Sequence, residues 1–210
     1  MSLTAVYFEN YSFFKGKVAD KDISYLKTEI NNIKNNSNNI VANNYSLAGN
    51  IEREYYFAED VIPNIENIIL PYARSYFINN KDIMEISRDT GDFNKLKITA
   101  CWVNFQKKHE FNPIHDHKGV LSFVIWVQIP YSLEEEMKNS SVMYSNSPSA
   151  GCFQFLYNDI LGNFRGRTIP CDKKDEGTLL MFPSRLQHCV YPFYTSDEYR
   201  ITISGNIEYV

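Results

Sequence analysis

From about residue 93 the sequence falls into short apolar runs of strand length, and this constrains the fold more than any other feature. Leu96 to Gln106 is β-like, and alternation puts Leu96, Ile98, Ala100, Trp102 and Asn104 on one face. Leu121 to Ile129 is almost wholly apolar, as a strand covered on both sides requires. Phe153 to Tyr157, Thr178 to Phe182, Gln187 to Tyr191 and Tyr199 to Ile207 continue the series. Earlier in the chain the periodicity is helical. Ile23, Leu26, Ile30 and Ile33 predict a helix over Ala19–Asn35, ended by the Asn-rich stretch Asn35–Asn44. Glu59 to Tyr76 carries a second stripe (Ile62, Ile65, Ile68, Ile69, Tyr72), and Pro63 and Pro71 predict two short helices, each with its proline in the first turn. Thr4 to Phe8 predicts an edge strand; Ile83 to Ile86 fits a strand or a helix tail equally well. Tyr131 to Ala150, with Glu134-Glu135-Glu136, predicts a short polar helix and a surface loop suited to a lid. Helices first and strands after predict a mainly β fold with flanking helices: an antiparallel jelly-roll barrel in a single domain, 1–210. Residues 1–92 would pack on the barrel as a helical part, and 93–210 would form its core, with the inserted loop at about 131–150.

Fourteen Phe and fifteen Tyr favour such a sheet-rich core, because aromatic rings pack well on pleated surfaces. The net charge of -4 gives no electrostatic case for nucleic acid as a partner. No apolar run reaches the length of a membrane span and no signal-peptide core opens the chain, so the expectation is a soluble, cytoplasmic protein. Cys101, Cys152, Cys171 and Cys189 form no C-x-x-C pair and are expected as small buried hydrophobes in a reducing compartment.

Against this background one polar motif stands out: Asn112-Pro113-Ile114-His115-Asp116-His117, read with His188. In an extended segment His115 and His117 share a face, about 6.6 Å apart at roughly 3.3 Å per residue, while Asp116 points the other way. Two imidazoles so placed can converge on a metal ion. His188, from a strand far along the chain, would complete three ligands and leave positions open for substrate. The fourth histidine, His109, sits in a charged turn and is expected in solvent.

Arg200 lies twelve residues after His188, enough for a strand, a turn and the start of the next strand. Alternation puts Arg200, Thr202 and Ser204 on one face. If that face is inward, Arg200 is a cation inside the barrel and needs a partner. That partner is either one of the chain's own acids or the carboxylate of a dicarboxylate cosubstrate whose other end chelates the metal. Asn104 and Ser122 are polar positions on otherwise apolar strands, suited either to lining the cavity or to ladder and turn hydrogen bonds. Trp102 and Trp126 are expected in the core. Asn206 suits a supporting contact or a strand-end cap, and Tyr157 and Arg165 fall where substrate loops would form.

Taken in order, Trp102-x-Asn104, His115-x-His117, Leu121-Ser122, Gly177 to Ser184, His188 and Arg200-Ile-Thr-Ile-Ser-Gly-Asn206 resemble the 2-oxoglutarate/Fe(II)-dependent oxygenases, in particular prolyl-hydroxylase-like members encoded by marine phages and bacteria. The resemblance covers about Ile98 to Ile207. It implies a double-stranded β-helix, Fe(II) at the histidines, and 2-oxoglutarate chelating iron, with its far carboxylate on Arg200 and Thr202. It also implies O2 as co-reactant, release of succinate and CO2, and hydroxylation of an unidentified substrate. One departure stands: the family's usual triad is His-x-Asp/Glu…His, and this chain has His117 in the acid's place. Two other readings therefore stay open at the level of sequence: a cupin-like three-histidine metalloenzyme without 2-oxoglutarate, and a non-catalytic jelly-roll binding or structural protein. Substrate and oligomeric state are not encoded legibly.

Overall fold

The computed structural model describes residue 4 and residues 10–36, 47–80 and 93–210. The strand expected over Thr4–Phe8 (apart from Thr4), the Asn-rich stretch beyond Asn36 and the segment Ile83–Ile86 lie outside the described residues.

The first helical stripe forms α1 (Asp20–Asn36), which places Asp20 and Asp22 in its first turn and Lys34 in its last, where each suits the helix dipole. The second forms one helix, α2 (Ile62–Asn79), and not two. Pro63 sits in its first turn, as expected, but Pro71 lies inside it. Pro71 and Asn67, four residues earlier, both face solvent, so water can take the Asn67 carbonyl that loses its N–H partner. Meanwhile Ile65, Ile69, Leu70, Ala73, Tyr76 and Phe77 keep a buried stripe running past the proline. Continuous burial therefore outweighs a proline cost of about 3 kcal/mol.

Among the described residues there are ten strands, in chain order β1 (Phe14–Lys17), β2 (Arg53–Tyr56), β3 (Leu96–Gln106), β4 (Asn112–His115), β5 (Leu121–Gln128), β6 (Phe153–Asn158), β7 (Phe164–Ile169), β8 (Thr178–Pro183), β9 (His188–Val190) and β10 (Arg200–Tyr209). They form a six-stranded sheet, β1-β8-β5-β10-β3-β2, and a four-stranded sheet, β4-β9-β6-β7. All pairings are antiparallel. β1, β2 and β7 are additions to the sequence reading. The outer face of the larger sheet packs on the helices: Leu26, Ile30, Ile65, Ile69 and Phe77 share one core with Val103, Phe123, Ile125 and Ile203. Its inner face meets the smaller sheet, where Val124, Trp126, Leu180 and Phe182 pack on Phe153, Phe155 and Ile169.

The single face expected for β3 is corrected by a bulge. Asn206 pairs with Ala100 but Ile207 pairs with Ile98, so one extra residue on β3 reverses the alternation. Leu96 and Ile98 therefore join Cys101, Val103 and Phe105 on the helix side. Trp102, Asn104 and Gln106 are left facing the cavity between the sheets.

The acidic triplet of the insertion also divides. α3 (Leu133–Lys138) has Glu134 paired with Lys138 on the surface, but Glu136 is fully buried. The Glu136 carboxylate accepts from the Tyr194 and Thr195 backbone N–H groups, both at 2.8 Å, and from the Thr195 hydroxyl. The start of the insertion is thus tied to the β9–β10 connection and is not a freely hinged lid. All four cysteines are buried and free. Among the described residues no helix is long and apolar enough to cross a membrane.

Candidate functional site

β4 and β9 pair with His115 directly opposite His188, which puts both rings on the inner face. His117 lies just past the end of β4, held by its backbone N–H on the Ser184 carbonyl at 2.9 Å. The ring centroids of His115 and His188 are 4.3 Å apart, those of His115 and His117 4.9 Å, and those of His117 and His188 5.1 Å. One nitrogen from each ring lies within 4.8 Å of the other two. Among the described residues no other group of three His, Cys, Asp or Glu converges in this way.

Two of the rings have their tautomers fixed. His115 Nδ1 is 2.7 Å from the Pro113 carbonyl and His188 Nδ1 is 2.9 Å from the Leu186 carbonyl. A carbonyl can only accept, so each Nδ1 carries the proton and each Nε2 keeps a lone pair. Phe153 stacks on His188 at 5.3 Å and Phe182 meets it edge-on at 5.0 Å, which holds the ring's orientation. Burial, followed by the neighbouring His115, drives the His188 pKa down to about 3. Burial and His115 likewise lower His117 to about 4, and burial lowers His115. All three are neutral bases at physiological pH, the form that binds a metal. Asp116 turns outward, exposed, with an oxygen 3.7 Å from Arg185. His109 is exposed and away from the cluster, at φ 70° beside Tyr194.

The other end of the cavity is built around Arg200, which is fully buried at the start of β10. All five of its N–H groups are engaged. Nε and one Nη2 hydrogen reach Gln106 Oε1 (3.1 and 2.5 Å), and the second Nη2 hydrogen reaches the Tyr191 carbonyl (3.2 Å). Nη1 donates to the Tyr131 hydroxyl and the Gly151 carbonyl, both at 2.7 Å. The Tyr131 and Phe193 rings flank the guanidinium at 5.9 and 5.6 Å. Gly151 is required here: it has φ +68°, and a Cβ on it would come within 2.8 Å of the Tyr131 ring. Every acceptor around Arg200 is neutral. The internal ion pair weighed as its alternative partner is not formed with any described acid.

Both ends open on one cavity with a free volume of about 40 Å³, lined among others by Trp102, Trp126, Asn104, Thr202 and Ser204. Asn104 Nδ2 donates to the Thr202 hydroxyl oxygen at 3.0 Å, which leaves the Thr202 proton available to a ligand. Ser122 is elsewhere. It is buried among the strands, 2.9 Å from Asn206 Oδ1 and 3.0 Å from the Ser184 hydroxyl, and does not line the cavity. The same contact accounts for Asn206. Tyr157 is half-exposed and Arg165 pairs with Asp159. Sequence reasoning missed Gln106, Tyr131 and Gly151 as the partners of Arg200, because only the pairing of β3 with β10, Arg200 opposite Gln106, reveals the first of them.

Residues 100–206, slightly more than half of the chain, match the family model described as "Putative 2OG-Fe(II) oxygenase". No curated protein sequence matches. Among solved structures, a prolyl-4-hydroxylase from Pseudomonas putida aligns with a TM-score of 0.56 at 10% identity, covering 95% of this chain and 94% of that one. A non-heme alpha ketoglutarate dependent carbocyclase, SnoK, from nogalamycin biosynthesis gives 0.56 at 8% identity, with 93% and 78% covered. AviO1 from Streptomyces viridochromogenes gives 0.53 at 13% identity, with 93% and 90% covered. At these identities the likeness speaks for the fold, the double-stranded β-helix. The family match runs from within β3 to within β10 and encloses all three histidines together with Arg200, and on that ground the chain belongs to the 2OG-Fe(II) oxygenases.

Proposed function

We propose that His115, His117 and His188 hold Fe(II), and that Arg200 and Thr202 hold the far carboxylate of 2-oxoglutarate. The observation that carries this reading is the convergence of three neutral imidazoles within 4.8 Å, two of them with Nδ1 bound to a carbonyl so that Nε2 is left for a metal. The donor set fits iron, though with three neutral ligands in place of two and a carboxylate. An iron so held supplies O2 activation coupled to conversion of 2-oxoglutarate to succinate and CO2, with hydroxylation of an organic substrate as the outcome. The chain's own residues do the rest. The Pro113 and Leu186 carbonyls aim two ligands, and Phe153 and Phe182 keep water from His188. Arg200 presents a buried positive charge paired with no acid among the described residues, and Asn104 orients the Thr202 hydroxyl. The charge suits a dianionic cosubstrate; the room does not yet, since about 40 Å³ holds a few waters only.

Anaerobic addition of Fe(II) and then 2-oxoglutarate to the protein should give a weak visible charge-transfer band, and admission of O2 should release succinate. Metal uptake without either signal would overturn the cosubstrate assignment. It would favour a three-histidine centre acting directly on its own substrate, a reading supported by the full engagement of Arg200.

A further inference from the structure

Among the described residues, three buried hydrogen-bond acceptors around the cavity have no donor: Glu54 Oε2, Asn104 Oδ1 and Asn112 Oδ1. They are neighbours. Glu54 on β2 lies directly opposite Asn104 on β3, so both side chains are on the same face of the sheet, the one turned to the cavity. Asn112, on β4 across the gap between the sheets, also lines the cavity. Glu54 and Asn112 close on each other around Gly49. A Cβ placed on that glycine would lie 2.5 Å from Asn112 Oδ1 and 2.9 and 3.1 Å from the two Glu54 oxygens. Glu54 itself is 1% exposed and Asn104 4%. Buried acceptors in a folded protein are nearly always satisfied, and turning the Asn104 or Asn112 amide over would aim an Nδ2 donor into the corner. Neither turn gives Glu54, a carboxyl group buried in the fold, an opposite charge.

The charge of the corner narrows the choice. No described Lys or Arg is paired with Glu54, and Glu110 adds a second nearby carboxylate. Glu110 already accepts from the backbone N–H groups of Glu52 and Lys107, so it raises the local negative potential without supplying a donor. A neutral hydroxyl brings one hydrogen and no charge. An ammonium brings three and a guanidinium five, and each also carries the opposite charge. We infer that the Glu54–Asn104–Asn112 corner is a binding subsite for a cationic nitrogen group of the substrate, an ammonium or guanidinium, held beside the metal-binding histidines. This deepens the oxygenase reading by naming a substrate class: a molecule that carries a basic nitrogen near the carbon to be oxidised. It also separates the two charged ends of the cavity by role, with Arg200 facing an anion and Glu54 a cation.

The test is done on the whole protein without iron or 2-oxoglutarate, so its failure leaves the oxygenase reading untouched and failure of that reading leaves the binding measurable. Ligand-observed NMR with n-butylammonium, n-butylguanidinium and 1-butanol is compared between the native protein and Glu54→Gln. The cations are expected to bind the native protein at least tenfold more tightly than 1-butanol and to lose at least tenfold in Glu54→Gln. The butanol signal should stay the same. Glu54→Gln supplies its own amide donor to the corner, so it should fold and melt no lower than the native protein. Equal affinity for the cations in both proteins, equal binding of butanol and the cations, or a lower melting temperature for Glu54→Gln would each overturn the proposal. The last would mean that the chain itself supplies the missing donors.

Discussion

The two ends of the cavity are both built from buried basic side chains, yet they are prepared for ligands in opposite ways. At the histidine end, hydrogen bonds from His115 and His188 go backward to carbonyls two residues earlier, and the nitrogens facing the centre are left unsatisfied. At the arginine end, every N–H faces a protein acceptor, and Gln106 Oε1 takes two of them from the edge of the fork where one oxygen of a carboxylate would sit. A metal therefore meets a site that needs little rearrangement. A diacid bound at Arg200, as proposed, would have to exchange partners with the protein before its charge is matched. The first end is preorganised by its own backbone, and the second is held together by the contacts that a ligand would have to replace.

The largest effect should come from breaking the preorganised end. His188→Ala removes one of the three proposed ligands. Loss of a supporting partner alone commonly costs about 10–100-fold in metal affinity, so loss of the ligand should cost at least about 100-fold. Fe(II) titration and succinate assay should both fall to background, while His109→Ala, in its exposed turn, should leave both unchanged. Retention of metal by His188→Ala would break the comparison at its root. Next in size is Arg200→Ala. Removal of the buried cation should weaken 2-oxoglutarate binding by about 2–5 kcal/mol, measured by calorimetry on the metal-loaded protein. It should also lower the melting temperature, because Gln106 Oε1, the Tyr131 hydroxyl and the Gly151 and Tyr191 carbonyls all lose a donor. Unchanged 2-oxoglutarate affinity with a lowered melting temperature would make Arg200 a structural cation only.

The same contrast explains what could be read from the sequence. His115, His117 and His188 were legible because period-2 alternation and a rare residue type together specify a shared face, and strand pairing did the rest. The inward set Arg200, Thr202 and Ser204 followed from the same rule. That rule failed on β3, where an unpaired residue opposite Asn206/Ile207 reversed the faces of Leu96 and Ile98, because a bulge has no composition of its own here. It also failed for Glu136. Three adjacent glutamates read as one solvated face, and only the fold shows that donors at Tyr194 and Thr195 hold the third one inside. The orphaned acceptors on Glu54, Asn104 and Asn112 come from three different strands, and nothing local in the sequence brings them together.

A smaller effect distinguishes Glu54 from the histidines by sign. Burial first, and Glu110 second, raise the Glu54 pKa to about 7 from the ordinary 4.5. A carboxyl group with a raised folded-state pKa favours the folded state fully below 4.5, and that contribution is lost as the pH rises to about 7. The histidines behave oppositely. Their lowered values favour the folded state above about 6.5 and work against it as the pH falls toward 3 or 4. In metal-free protein, Glu54→Gln should therefore gain about 3 kcal/mol over the native chain at pH 8 and little at pH 4, read from urea unfolding. A pH-independent difference between the two proteins would show that Glu54 does not hold its proton in the folded state.

The smallest effect is also the most direct probe of the arginine end. Gln106→Ala removes the oxygen that occupies the Nε and Nη2 edge of Arg200, and with it the contact from Gln106 Nε2 to the Glu110 carbonyl. If that oxygen must yield to the cosubstrate, its removal takes away a competing interaction, and 2-oxoglutarate should bind more tightly by about 1 kcal/mol, the usual net worth of a hydrogen bond. If the oxygen instead holds the guanidinium in the pose that receives the diacid, affinity should fall by a similar amount. Tighter binding would mean that the native chain keeps its cation neutrally solvated until an anion arrives, which limits the cost of burying Arg200 in the empty enzyme. Weaker binding would make Gln106 part of the receiving surface, and the two ends of the cavity would then differ in composition but not in preparedness.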